Sequence, residues 1–162
     1  MMKRLYTTLL FLALASINFY AQTPGWASKA VKSVFTLTTF REDGSILSSA
    51  NGFFVGNNGE AISSFTPFNG AYSAVIVDAS GKKYNVECML GANEIYDVAK
   101  FRVANIKSQP LTIAGTDESK GSTVWLLPYS IKSPACKQGT ITKAEPFQTS
   151  YTYYTIAVET PE

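Results

Sequence analysis

The sequence contains no histidine in its 162 residues. Histidine is the usual general base near neutral pH and the commonest protein ligand for metal ions. Its absence excludes, within this chain, every mechanism that needs a Ser-His-Asp, Cys-His or His-metal arrangement. No glycine-rich phosphate loop follows any predicted strand either. We therefore expect no metal and no other cofactor.

Cysteine is also scarce, with Cys88 and Cys136 alone. Two cysteines so far apart form no metal-binding motif. Export would permit a disulfide between them, but a chain of this length buries enough surface to fold without one. We favour two small, buried side chains over a disulfide, and the sequence leaves their pairing open.

The beginning of the chain has the pattern of a secretory signal peptide. Lys3 and Arg4 precede a mostly apolar run over residues 5–19, and Ala21 stands directly before a Gln-Thr-Pro sequence. This order is typical of a signal cleaved after Ala21. A retained anchor is the alternative, but the run is shorter than the ~20 residues of a spanning helix. We predict a secreted or periplasmic protein.

The mature chain has few charged residues, and its net charge is zero. The full sequence has 14 basic and 12 acidic residues, and removal of residues 1–21 leaves 12 of each. Such a balance gives no electrostatic footprint for nucleic acid and no attraction to an anionic membrane. We expect neither partner once the signal is removed.

What the sequence does contain is a series of short segments with a period of two. Residues 22–33 form a lead-in, and Val34–Phe40 begins a set of about six strands that ends at Val103. One of these covers residues 84–90 and is followed by a polar stretch over 91–96. Such strands, evenly spaced and separated by glycine turns, predict an all-β barrel or sandwich.

The second half repeats this character over a shorter length. Residues 104–121 hold Pro110, Gly115 and Gly121 and are predicted to be a connector. Three further strands fall within residues 122–162. Because three strands rarely make a stable domain alone, this second unit is expected to be incomplete.

Several segments, taken in order, resemble trypsin-like, HtrA-like serine proteases of bacteria. Residues 50–64 resemble the family's Gly-Ser-Gly-Phe strand, glycine turn and following strand. Residues 80–86 resemble its Asp-Gly-Arg-x-Tyr hairpin, and residues 93–101 resemble its Asp-x-x-x-Asp-Leu-Ala-Val-Leu segment. Residues 121–127 and 137–142 resemble strands of its second barrel. The likeness covers nearly all of the mature chain.

The resemblance implies a fold and a set of site positions. The fold is a chymotrypsin-like six-stranded antiparallel barrel over residues 34–103, followed by the first strands of an incomplete second barrel over 122–162. Thr66 falls where the family has its general-base histidine, and Asp97 falls where an aspartate orients that histidine. Because threonine cannot accept a proton at neutral pH, we expect no catalytic residue and interpret Asp97 as a turn aspartate. No Gly-Asn-Ser-Gly-Gly nucleophile motif occurs in the sequence.

Three functions compete at this point. The first is an inactive trypsin-like protease homologue that binds a peptide or protein, either as a truncated fragment of a longer protein or as a complete but decayed one. The second is an active protease that uses Lys100 or Lys143 as its base. The third is a non-enzymatic extracytoplasmic β-sandwich, structural or adhesive, which the tyrosine-rich run over residues 151–155 favours.

Overall fold

The computed structural model describes residues 24–127, 136–147 and 151–158. A short helix and a 3₁₀ turn lead into the first strand, and a second 3₁₀ turn follows the third strand. The elements are α1 (Ala27–Ala30), the first 3₁₀ turn (Val31–Ser33), β1 (Val34–Phe40), β2 (Ile46–Phe54), β3 (Glu60–Ser63), the second 3₁₀ turn (Thr66–Phe68), β4 (Ser73–Asp78), β5 (Lys83–Asn93), β6 (Val98–Val103), β7 (Thr123–Leu126), β8 (Lys137–Phe147) and β9 (Tyr151–Val158).

The first six strands form a closed barrel with the order β1-β2-β3-β6-β5-β4. Every neighbouring pair is antiparallel, and β1 pairs with β2 on one edge and with β4 on the other. Closure gives every strand two hydrogen-bonded neighbours, whereas a flat sheet would leave two edge strands. The predicted six-stranded antiparallel barrel is confirmed. The β-sandwich alternative is wrong, because one closed sheet, and not two stacked sheets, contains all six strands.

Alternating side chains of the strands fill the barrel. In β1, Phe35, Leu37 and Thr39 are fully buried, while the residues between them are partly exposed. This period of two places one face of each strand on the core. The buried cluster consists of Phe35, Leu37, Phe54, Ala61, Ala74, Ile76, Phe101 and Val103.

The turn between β2 and β3 requires a glycine. Gly59 has a φ of +78°, a left-handed conformation that side chains disfavour. A Cβ on Gly59 would also collide with the carbonyl oxygen of Val103. From the connector, the Ser108 hydroxyl donates to the carbonyl of Gly56 at 2.6 Å and accepts from the Gly59 N–H at 2.9 Å. This turn is therefore tied to both the barrel and the connector.

A separate three-stranded sheet follows, with the order β7-β8-β9. Both of its pairs are antiparallel. The partial second sheet expected from the resemblance is confirmed. The boundaries of the lead-in, barrel, connector and second unit remain predictions.

The two cysteines do not pair. Cys136 is buried, as predicted, but Cys88 is exposed, so the prediction of two buried side chains is wrong for Cys88. Cys88 lies on β5, which continues to Asn93 through the stretch predicted to be a polar loop. The register of β5 with β6 shifts between Val86 and Cys88 and again between Met89 and Gly91. These bulges break the period of two on which the prediction depended.

Candidate functional site

The structure brings Thr66 and Asp97 into direct contact. Thr66 begins the 3₁₀ turn that follows β3, with Pro67 at the next position, where its fixed φ suits a turn. Asp97 ends the turn between β5 and β6 and has a φ of +51°. Aspartate is one of the few residues that tolerate this left-handed conformation. Two turns from different parts of the sequence thus meet at one end of the barrel.

One carboxylate oxygen of Asp97 accepts two hydrogen bonds from Thr66. The Thr66 backbone N–H donates to Oδ1 at 2.6 Å, and the Thr66 hydroxyl donates to the same oxygen at 2.8 Å. The backbone carbonyl of Asp97 also accepts from the N–H of Phe65 at 3.2 Å. The site is exposed. Backbone and side chain together fix the two turns against each other.

These donors shift the titration of the carboxyl. The backbone N–H and then the hydroxyl of Thr66 lower the pKa of Asp97, and Phe65 and Ser64 lower it further. Some loss of hydration raises the pKa of Asp97, but the hydrogen bonds outweigh it. Hydrogen bonds to the charged form favour ionisation, so Asp97 is an anion at neutral pH. The interpretation of Asp97 as a turn aspartate is consistent with this geometry, while its family role stays a prediction.

The arrangement has limited chemistry. A carboxylate with a lowered pKa is a weak base, and the threonine hydroxyl beside it already donates its proton to that carboxylate. No three His, Cys, Asp or Glu side chains come together as a metal-binding group within residues 24–127, 136–147 and 151–158. Thr66 and Asp97 thus form a structural hydrogen-bond pair.

The two lysines considered as alternative bases lie in ion pairs. The Lys100 ammonium is 3.1 Å from the carboxylate of Glu60 on the neighbouring strand β3. The Lys143 ammonium is 3.9 Å from Glu145 on its own strand. All four side chains keep substantial exposure to solvent. Lysines of this kind are ordinary surface residues.

Tyrosine rings border the Asp97 turn, and sequence reasoning did not connect them with it. Tyr96 stacks on Tyr151 of β9, with ring centroids 4.0 Å apart. Burial, followed by the neighbouring Tyr151 and Tyr153, raises the pKa of Tyr96. Tyr151 and Tyr153 remain about half exposed. The tyrosine-rich run of the sequence therefore lies beside the barrel end that carries Asp97, and the position of Tyr96 directly before Asp97 was the available signal.

No helix in the described part of the chain is long and apolar enough to cross a membrane.

Comparison with known proteins identifies the fold. No protein-family model and no curated protein matches the chain. Among solved structures, an HtrA-type protease, AlgW, with a tripeptide is similar at a TM-score of 0.62 and 15% identity, over 79% of this chain and 43% of that one. The active form of the Rv3671c protease from M. tuberculosis is similar at a TM-score of 0.67 and 17% identity, over 84% of this chain and 63% of that one.

These similarities show the fold alone, because both identities are low. The closed barrel and the partial second sheet correspond to the chymotrypsin-like fold of these proteases. The chain spans 43% and 63% of the lengths of the two solved proteases. Their activities are therefore not transferred to this chain by the comparison.

Proposed function

We propose that this chain is a secreted homologue of trypsin-like serine proteases that binds a peptide or protein partner without cleaving it. The observation that carries the proposal is the hydrogen bonding of Asp97. Its carboxylate accepts the backbone N–H and the hydroxyl of Thr66, the residue that the family resemblance places at the general-base position. The protease fold supports the ancestry, and the Thr66–Asp97 pair supports the loss of cleavage.

The chemical argument follows from how such a triad works. In a serine protease the aspartate orients a histidine, and the histidine takes the proton of the nucleophilic serine. Here a threonine hydroxyl satisfies the carboxylate, and the sequence holds no histidine that could replace it. Removal of a triad base abolishes most of the rate even when the rest of the site is intact.

Export rests on the beginning of the sequence. Lys3 and Arg4 followed by the apolar run over residues 5–19 have the order of a cleavable signal. The full sequence is expressed in a bacterial host with a secretion pathway. The exported chain should have the mass of residues 22–162, with Gln22 as its first residue. A mature mass that still includes residues 1–21 would contradict export with cleavage.

One unfolded, fluorescein-labelled substrate tests binding and cleavage together. Casein labelled with fluorescein is titrated with the purified mature chain, and its anisotropy is followed while samples are taken for gel electrophoresis. We expect a saturable rise in anisotropy with the casein band intact. A serine-reactive fluorophosphonate should leave the chain unlabelled. Fragments that accumulate in proportion to the chain, with labelling by the fluorophosphonate, would overturn the non-cleaving assignment.

An adhesion or structural role is the second candidate, now on a barrel scaffold. The half-exposed rings of Tyr151 and Tyr153 on β9 favour it, because tyrosines are enriched at protein interfaces. Replacement of both rings by serine separates the two roles. Loss of surface adhesion with unchanged casein binding would favour the adhesion module.

A further inference from the structure

The barrel opens where β4 and β5 separate. These strands pair only between Val75–Val77 and Lys83–Asn85. Beyond Asn85, β5 continues to Asn93 with β6 as its one strand partner in the described part of the chain. At the facing end of β4, Ser73 and Ala74 pair with β1 alone. Two neighbouring strands thus present backbone groups toward a gap between them.

Two bulges of β5 lie along the stretch where β4 and β5 separate. The register with β6 skips Glu87 and then Leu90, so each is an extra residue on the β5 side. A bulge bends its strand and increases the local twist. The first bulge lies directly after the last paired stretch of β4 and β5, so the two strands separate where the regular pairing of β5 with β6 is also interrupted.

A groove of about 240 Å³ lies in this gap. That volume corresponds to roughly eight water molecules at ~30 Å³ each, enough for one large side chain. Its walls are of mixed polarity, and Glu87 is their one charged residue. The lining consists of Phe68, Ala71, Tyr72, Ser73, Ala74, Val86, Glu87, Cys88 and Met89.

The strand edge beside the groove is bulged at two positions, but it lacks the charged and proline residues that also discourage pairing. Natural edge strands use lysine, proline, inward-pointing charges or bulges to discourage another strand from adding. Residues 88–93, Cys-Met-Leu-Gly-Ala-Asn, contain no charge and no proline. Met89 and Leu90 are 42% and 40% exposed, and Tyr72 across the groove is 72% exposed. Exposed apolar side chains on a strand edge, next to a groove of side-chain size, favour an extended polypeptide.

We propose that this groove and the β5 edge are the peptide-binding site of the proposed function, on which this inference rests. An extended segment of a partner pairs its backbone with β5 from Glu87 onward, in the manner of strand addition. One of its apolar side chains enters the groove between Tyr72 and Met89. A basic side chain faces Glu87. Within the described residues, the backbone of β5 beyond Asn85 pairs with β6 alone, so an extended backbone fits its other side. The carboxylate of Glu87 favours a basic side chain on that partner.

A defined peptide tests the site directly. The probe is a fluorescein-labelled eight-residue peptide that alternates valine and threonine and carries lysine at both ends. We expect saturable binding to the mature chain by anisotropy. Leu90→Lys places a charge on the edge, and Glu87→Lys reverses the charge at the groove, so each should weaken binding about tenfold. Ile113→Lys, at a connector residue that is 63% exposed, is the matched control and should bind as the parent does.

Two further readouts separate strand pairing from general stickiness. A peptide N-methylated at alternate residues cannot donate its backbone hydrogen bonds along one edge and should bind more weakly than the parent peptide. Bound peptide should also slow maleimide labelling of Cys88, which lines the groove, while Cys136 is buried. Circular dichroism of each variant confirms that the barrel is folded.

The possible outcomes test the peptide site separately from the proposed non-cleaving function. Binding that all three lysine variants retain equally would overturn the site and leave the non-cleaving function standing. Absence of peptide binding to the parent chain overturns the inference, while the casein experiment judges the function separately. The parent chain could instead form a dimer that Leu90→Lys converts to a monomer, with no binding of the peptide. That result would assign the edge to a second copy of the chain and would also overturn the peptide site.

Discussion

The Asp97 carboxylate joins two turns whose residues lie 31 positions apart in the sequence. It does so through both donors of Thr66, which makes this contact a clip between the region after β3 and the β5–β6 turn. A catalytic aspartate of a serine protease must be available to its histidine, whereas the Asp97 carboxylate is engaged by Thr66. Here the carboxylate stabilises the fold.

Substitution of Asp97 by asparagine tests the clip through pH. The Thr66 donors lower the pKa of Asp97 in the folded state, so its charge stabilises the fold above the unfolded pKa of ~3.9. That stabilisation is lost as the pH falls through the lower folded value. Asp97→Asn should therefore reduce the free energy of unfolding at pH 7, and its difference from the parent should shrink in acid. Urea unfolding at pH 7 and near pH 3 measures this.

The partner residue supplies the control. Thr66→Val removes the hydroxyl donor and keeps the backbone N–H, so the effect of Asp97→Asn should be smaller in the Thr66→Val background. An Asp97→Asn effect that is equal at both pH values would show that the charge contributes nothing to stability.

For individual residues, the sequence predicted which two positions share a site but not the hydrogen bonds between them. The order of the family-like segments placed Thr66 and Asp97 at one site, and the structure brings them into contact. The double hydrogen bond could not be predicted, because it depends on the left-handed conformation of Asp97, which aspartate adopts in only some turns.

Among the elements, the hairpin turns show how local sequence and tertiary contact combine. Gly44 and Gly59 both have left-handed φ values, of +80° and +78°. A Cβ on Gly44 would meet open space, whereas one on Gly59 would collide with the carbonyl of Val103 on β6. Gly44 is required only by the conformation of its turn. Gly59 also leaves space for the backbone of β6 to pack against the turn.

These two glycines give a matched pair of substitutions. Gly44→Ala should cost about 1–2 kcal/mol, the strain of a left-handed residue with a side chain. Gly59→Ala should cost that amount and a further ~1–3 kcal/mol for overpacking against β6. Urea denaturation of both variants measures the difference. Equal losses would mean that the backbone near Val103 relaxes without cost.

Strand prediction succeeded where the period of two was unbroken. Val34–Phe40 was predicted with the bounds that the structure has, because it buries alternate residues. The far end of β5 was missed, since bulges at Glu87 and Leu90 interrupt the alternation and leave residues 87–93 exposed. The bulged stretch also borders the groove to which we assign binding.

At the scale of the whole molecule, aromatic rings join the barrel region to the second sheet. Trp26, in the lead-in, meets Trp125 of β7 edge to face with ring centroids 6.4 Å apart. Tyr96 of the β5–β6 turn stacks on Tyr151 of β9. Neither pair could be predicted from the sequence, because the period of a strand fixes the face of a side chain but not its partner in another sheet.

A double-mutant cycle on Tyr96 and Tyr151 measures how strongly the two sheets are coupled. Their rings stack at 4.0 Å, and such pairs contribute about 0.5–1.5 kcal/mol beyond the area they bury. Tyr96→Ala and Tyr151→Ala should each lower the free energy of unfolding. The sum of the two single losses should exceed the loss in the double variant by that amount. Tyr96→Phe keeps the ring and should keep the coupling. Additive losses would mean that the two rings do not stabilise each other and that other contacts hold the two sheets together.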